Sequence, residues 1–174
     1  MAYTTINKST DYFETKLYDG SGSTQSITGL DFQPDWVWIK RRSSARGHNI
    51  FDAVRGATYG IYPDETGAES AGATQLTSFN SDGFTLGADD RVSGSGHTYV
   101  SWNLKANGAG SSNTDGSITS TVSASTTSGF YHGSLGGTKA LFMDLTGAVA
   151  THIDYWNNTD PTSSVFSIGT SSNM

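Results

Sequence analysis

The side chains that most often do chemistry in proteins are present in this sequence, but their spacing matches no familiar reaction centre. The histidines, His48, His97, His132 and His152, stand far apart, and none forms a close H-x-x-x-H pair. Cysteine is absent, which removes thiolate zinc ligands, thiol nucleophiles and disulfides. We therefore predict structural or surface histidines, no metal site and no cofactor.

Paired carboxylates are the next candidates, and they occur at Asp64-Glu65 and Asp89-Asp90. Neighbouring residues of a strand face opposite ways, so neither pair is expected to converge on one substrate. A weak calcium site at Asp89-Asp90 with Asp82 is an alternative, although the spaced D-x-[DN]-x-[DN]-G loop is missing. Since no G-x-S-x-G nucleophile motif occurs either, we predict no catalytic residue and no enzyme.

Aromatic side chains offer binding chemistry instead. The segment Tyr155-Trp156-Asn157-Asn158 combines two aromatic rings with two amides, a composition that suits a loop-borne site for sugar rings. Trp36, Trp38 and Trp102 could also stack on sugars. Because these three lie inside apolar strand-like runs, core packing is the favoured interpretation for them.

One basic cluster, Arg41, Arg42 and Arg46, is a candidate protein interface. It is predicted either to pair with an acidic neighbour in an assembly or to be hydrated in a loop. The chain as a whole is acidic, with a formal charge of −6. A protein that binds the phosphate backbone is usually basic, so no nucleic-acid partner is predicted.

The amino-acid composition indicates the fold class that positions these candidate residues. The 174 residues include 25 Ser, 23 Thr and 21 Gly, but few Glu and Lys, which normally cover the solvent faces of helices. Eight Phe, eight Tyr and four Trp suit pleated sheets and argue against disorder. No run of about 18 apolar residues exists, so no membrane insertion is predicted. The start of the chain lacks the features of a secretory signal peptide.

Short strand-like runs recur between turn signals, and roughly a dozen of them predict an antiparallel two-sheet β-sandwich with few or no helices. The run His97–Lys105 alternates most clearly, with Val100, Trp102 and Leu104 on one face. The run Asp35–Lys40 is apolar in its middle, as in a strand covered on both faces. The Ser/Thr-rich segment 117–128 predicts an edge strand or an extended connector.

We predict one domain over residues 1–174, with a weak internal repeat in which 58–87 resembles 138–169. Thr58–Ala68 (TYGIYPDETGA) aligns with Thr138–Ala148 (TKALFMDLTGA), and GFTLG at 83–87 aligns with VFSIG at 165–169. The matching order indicates two related sets of strands.

Four segments together resemble a module of tailed-bacteriophage virion proteins that are common in marine and cyanobacterial phages. They are Phe32–Lys40 (FQPDWVWIK), His48–Gly56 (HNIFDAVRG), Ser78–Gly87 (SFNSDGFTLG) and Thr98–Trp102 (TYVSW). The resemblance implies a concanavalin-A-like jelly roll with no enzymatic role, displayed on a virion and made in the bacterial cytoplasm. It implies other capsid or tail proteins, and further copies of the chain, as partners.

Two functions follow from the resemblance and the composition. The first is a surface-exposed accessory subunit of the virion, such as a capsid decoration or cement protein. The alternative is a tail-fibre or receptor-binding module that recognises a host surface glycan through Tyr155, Trp156, Asn157 and Asn158. A glycan-cleaving enzyme is a distant third.

Overall fold

The structure is a computed structural model that describes residues 6–114 and 119–135. The strands are β1 (Phe13–Asp19), β2 (Gln25–Ile27), β3 (Trp36–Arg41), β4 (His48–Asp52), β5 (Tyr59–Ile61), β6 (Ser70–Ala71), β7 (Leu76–Asn80), β8 (Gly83–Leu86), β9 (Thr98–Leu104), β10 (Ser111–Asn113), β11 (Ser120–Ala124) and β12 (Tyr131–Leu135). One short α-helix, α1 (Asp90–Ser93), and a 3-10 turn at Ser9–Asp11 accompany them. The predicted all-β class is confirmed. No helix in the described ranges has the length and apolar character that crossing a bilayer requires.

The strands form three antiparallel sheets. A six-stranded sheet has the order β1-β9-β3-β4-β5-β6, and three-stranded sheets have the orders β2-β8-β7 and β10-β11-β12. The first two sheets share one apolar core, as expected for a sandwich. Its buried members are Ile27, Val37, Ile39, Phe51, Leu76, Phe84, Leu86, Val92 and Tyr99.

Strand β3 explains how one sheet can serve two apolar layers. Val37 and Ile39 are fully buried in the sandwich core, whereas Trp36 belongs to a second buried cluster. Successive side chains of a strand point to opposite faces, so Trp36 and Trp38 share the other side of the sheet. The run at Asp35–Lys40 is therefore covered on both faces over most of its length, as predicted.

Strand β9 shows the predicted alternation, but its more deeply buried face is the polar one. Ser101 and Asn103 are fully buried beside Tyr99, while Trp102 and Leu104 on the other face are only half-buried. The Asn103 side-chain amide donates to the Glu14 carbonyl at 2.9 Å and to Ser101 Oγ at 3.1 Å. These bonds satisfy the NH2 group of the amide, whereas its Oδ1 is buried without a hydrogen-bond partner among the described residues.

The outer face of the six-stranded sheet, opposite the sandwich core, carries the second apolar cluster. Trp36 and Ile50 from the sheet are buried there with Ala106 and Phe130, which precede β10 and β12. Strand β11 lies between β10 and β12 and pairs with a strand on each side. The prediction of an edge strand or an extended connector over 117–128 is therefore wrong for the part that the structure describes, 119–128. The first half of the predicted repeat contains β5 to β8, and its second half, 138–169, lies outside the described residues.

Candidate functional site

An aromatic cavity opens on the outer face of the six-stranded sheet, with a volume of about 680 Å³. Six aromatic side chains from four separate segments line it: Tyr12, Phe13, Trp36, Trp38, Trp102 and Phe130. Ile6 and Leu104 add aliphatic surface, and Ser9, His48 and Ser128 add polar atoms. Pockets that bind small ligands have volumes of about 300–1,000 Å³ and mostly apolar walls, which this cavity matches.

Sheet register brings the indole rings of the cavity together. Trp38 of β3 lies directly opposite Trp102 of β9, with ring centroids 5.7 Å apart and planes at 67°. Trp36, two residues before Trp38, stacks almost parallel on Phe130 at 5.3 Å. Trp36 is buried, but Trp38 and Trp102 each keep part of their surface open. The cavity wall thus includes indole surface of Trp38 and Trp102 that remains partly open.

Several side chains of the cavity carry ring nitrogen atoms. Trp38 Nε1 donates to His48 Nδ1 at 2.9 Å, so the His48 ring carries its proton on Nε2. Trp36 Nε1 is buried and has no acceptor among the described residues. No carboxylate, ammonium or guanidinium group belongs to the described side chains that line the cavity.

A buried ion cluster lies elsewhere, formed by Asp52, Arg55, Glu69 and His132. Asp52 pairs with Arg55 Nε, and Arg55 Nη1 lies 3.6 Å from Glu69. His132 Nδ1 lies 3.5 Å from the Asp52 carboxylate and is fully buried. Burial of Asp52 opposes its ionisation, but His132 and Arg55 outweigh it and lower the pKa of Asp52 to about 2. Both side chains are buried, so a substrate cannot reach this His–Asp pair. The contact connects β4 to β12 and has a structural role.

The predicted arginine interface is only partly free for a partner. Arg41 is buried, and its Nη2 lies 2.5 Å from the Asp90 carboxylate, while Arg46 lies 3.3 Å from the same group. Hydrogen bonding to Arg41 holds the pKa of Asp90 below its usual value. Arg42 is exposed. The structure thus brings Arg41 and Arg46 together around one acid of the same chain, and Arg42 points to solvent nearby.

The paired carboxylates have structural partners. Asp64 accepts the His48 backbone N–H at 2.8 Å, and Glu65 pairs with Arg91 at 2.9 Å. Asp89 caps α1 by accepting the Arg91 N–H at 2.8 Å. Within the described ranges, no group of three or more potential metal ligands comes together.

Sequence reasoning named Trp36, Trp38 and Trp102 but missed the residues that complete the cavity with them. Tyr12, Phe13 and Phe130 come from distant parts of the chain, and nothing in their local sequence marks them. The i, i+2 spacing of Trp36 and Trp38 was the available signal, because it places two indoles on one face of a strand. The other predicted binding segment, Tyr155-Trp156-Asn157-Asn158, lies outside the described residues.

One protein-family model, described as a domain of unknown function (DUF7483), matches residues 8–138. The chain belongs to this family. The DUF7483 match begins just before β1 and ends just after β12, so it includes both sheets of the sandwich, the third sheet and all but one of the cavity-lining residues. No curated protein and no solved structure matches the chain significantly.

Proposed function

We propose that the protein is a non-enzymatic structural protein of a tailed-bacteriophage virion, a surface-exposed accessory subunit such as a capsid decoration or cement protein. The observation that carries the proposal is where the phage-like segments lie. They contribute β4, β8 and most of β3, β7 and β9, which form the centre of the six-stranded sheet and two of the three strands of the sheet packed against it. The resemblance therefore extends through one folded unit and its shared core.

Edge strand β1 supports a role in assembly. Phe13 and Leu17 lie on the outer face of the six-stranded sheet and are 45% and 63% exposed. In the described part of the chain, β1 pairs with β9 on one side only. Apolar side chains beside an open strand edge are typical of surfaces that a neighbouring subunit covers, which fits a subunit bound to capsid or tail proteins or to its own copies.

Quantitative mass spectrometry of purified particles tests this proposal. Virions of the phage that encodes the chain are purified through a density gradient, washed in high salt and compared with virions from which the gene has been deleted. We expect peptides of the protein in the first sample at a level comparable to other virion components. Peptides confined to the soluble lysate, with none in intact particles, would refute the proposal.

The alternative function, a tail-fibre or receptor-binding module for a host glycan, is favoured by a different observation. The described part of the chain has an aromatic cavity that opens to the surface, and such cavities suit small ligands. Adsorption of phage carrying Trp156→Ala tests whether the 155–158 segment is the binding site of such a module. Adsorption at the wild-type rate would exclude the 155–158 segment as its binding site.

A further inference from the structure

The chemistry of the aromatic cavity restricts what it can bind. Its described walls carry no full charge, so an ionic ligand would lose its hydration without gaining a counter-charge. Trp38 and Trp102 are only partly buried, and their ring planes meet at 67°, so the cavity offers open apolar indole surface. A ligand that fits these walls would be neutral and would have at least one flat apolar face.

A nitrogen donor restricts a ligand of this cavity further. His48 lines the cavity, and its Nε2 carries the ring proton because its Nδ1 accepts from Trp38 Nε1. A purely apolar ligand that covered this donor would leave it unpaired, and an unpaired buried donor costs about 1–3 kcal/mol. Trp36 Nε1 cannot serve in the same way, because the atom is buried. A ligand that covers His48 would therefore carry a neutral oxygen acceptor as well as an apolar face.

We propose that the aromatic cavity binds a neutral pyranose ring of a saccharide. The C–H face of the sugar packs on the open indole surface of Trp38 and Trp102, and a hydroxyl oxygen accepts from His48 Nε2. Ser9, exposed at the cavity, offers a further hydroxyl partner. The inference rests on the receptor-recognition alternative, and it assigns saccharide binding to the residues that line the cavity instead of Tyr155, Trp156, Asn157 and Asn158.

Binding of soluble neutral oligosaccharides to the full chain tests the inference. Oligomers of glucose, galactose and mannose are titrated by calorimetry and by saturation-transfer NMR, with glucuronate oligomers as the charged probe and benzyl alcohol as the apolar probe. We expect at least one neutral oligosaccharide to bind saturably and the glucuronate oligomers not to bind. Trp102→Ala should weaken binding about fivefold, which corresponds to a stacking contribution of about 1 kcal/mol.

Three variants test whether the oligosaccharide binds in the aromatic cavity. Tyr59→Ala removes an aromatic ring that is 41% exposed on β5 and does not line the cavity, so its affinity should equal that of the wild type. Phe13→Ala removes a cavity ring that is 45% exposed, so this variant should fold. It should bind the oligosaccharide more weakly than the wild type, and it provides the test if Trp102→Ala does not fold. Trp156→Ala should bind like the wild type.

Any of four results would overturn the inference. The first two are a folded wild type that binds no neutral oligosaccharide and a folded wild type that binds only benzyl alcohol. The other two are equal affinities of Phe13→Ala and Tyr59→Ala for the oligosaccharide, and a loss of binding in Trp156→Ala alone. The virion proposal is tested separately, because the protein can be present in particles whether or not it binds a sugar.

Discussion

Replacing Asp52 by Asn should remove a large share of the stability of the domain. The Asp52 carboxylate is buried, accepts the backbone N–H groups of Val54 and Arg55 at 3.1 and 2.9 Å, and pairs with Arg55 and His132. Removing one partner of a buried ion pair costs about 3–5 kcal/mol, because the remaining charge loses its compensation. Asn keeps an oxygen that can accept a backbone N–H, so we expect a loss of about 3 kcal/mol at pH 7.

The effect of pH on the same variant separates charge from packing. The pKa of Asp52 is about 2 in the folded protein, against an ordinary value of 3.8. A lowered pKa stabilises the folded state above pH 4, and this contribution disappears as the pH falls through 2. At 1.36 kcal/mol per pKa unit it amounts to about 2 kcal/mol. The difference between wild type and Asp52→Asn should therefore shrink by about 2 kcal/mol between pH 5 and pH 2.

Urea denaturation followed by circular dichroism at several pH values measures both quantities. Asp82→Asn is the matched control, since Asp82 is exposed and its substitution should change the free energy of unfolding by less than about 0.5 kcal/mol. A loss below 1 kcal/mol in Asp52→Asn, or a difference from wild type that stays constant with pH, would refute the role given to the buried ion cluster.

Two further substitutions test the packing of the sheets. Gly83→Ala would place a Cβ 1.9 Å from the Ile27 carbonyl oxygen, so thermal unfolding should show that the free energy of unfolding falls by about 3 kcal/mol. Gly67→Ala is the control, because no atom lies within 4 Å of its Cβ, and it should be nearly neutral. Asp35→Ala removes the acceptor of the Ala106 N–H at 2.7 Å and should cost about 2 kcal/mol in urea denaturation. Equal stabilities of the two glycine variants, or an unchanged denaturation midpoint for Asp35→Ala, would contradict these contacts.

The sequence alone predicts the strands but not which of their faces is most deeply buried. The alternation in β9 is visible in the residues, and it indicates Val100, Trp102 and Leu104 as the apolar face. The structure buries Ser101 and Asn103 more completely, because pairing with β1 and β3 turns that face toward the second sheet. Long-range pairing decides this orientation, and a local pattern contains no information about it.

The buried ion cluster and the aromatic cavity also could not be predicted from local sequence. Asp52 and His132 lie 80 positions apart, and Tyr12 and Phe130 lie still further apart, so their convergence depends on the whole topology. The predicted edge strand at 117–128 was wrong for a related reason. Few apolar residues made the segment look marginal, yet β11 gains its place from backbone pairing with β10 and β12 on both sides.

Electron cryomicroscopy of intact virions tests the proposed function most directly. Reconstructions of wild-type particles and of particles lacking the gene would be compared at a resolution that separates the two packed sheets. We predict density for the sandwich on the outer surface of the wild-type capsid or tail, and no density at the same position in the deletion particles. Identical surfaces in the two reconstructions would contradict the assignment of the protein to the virion.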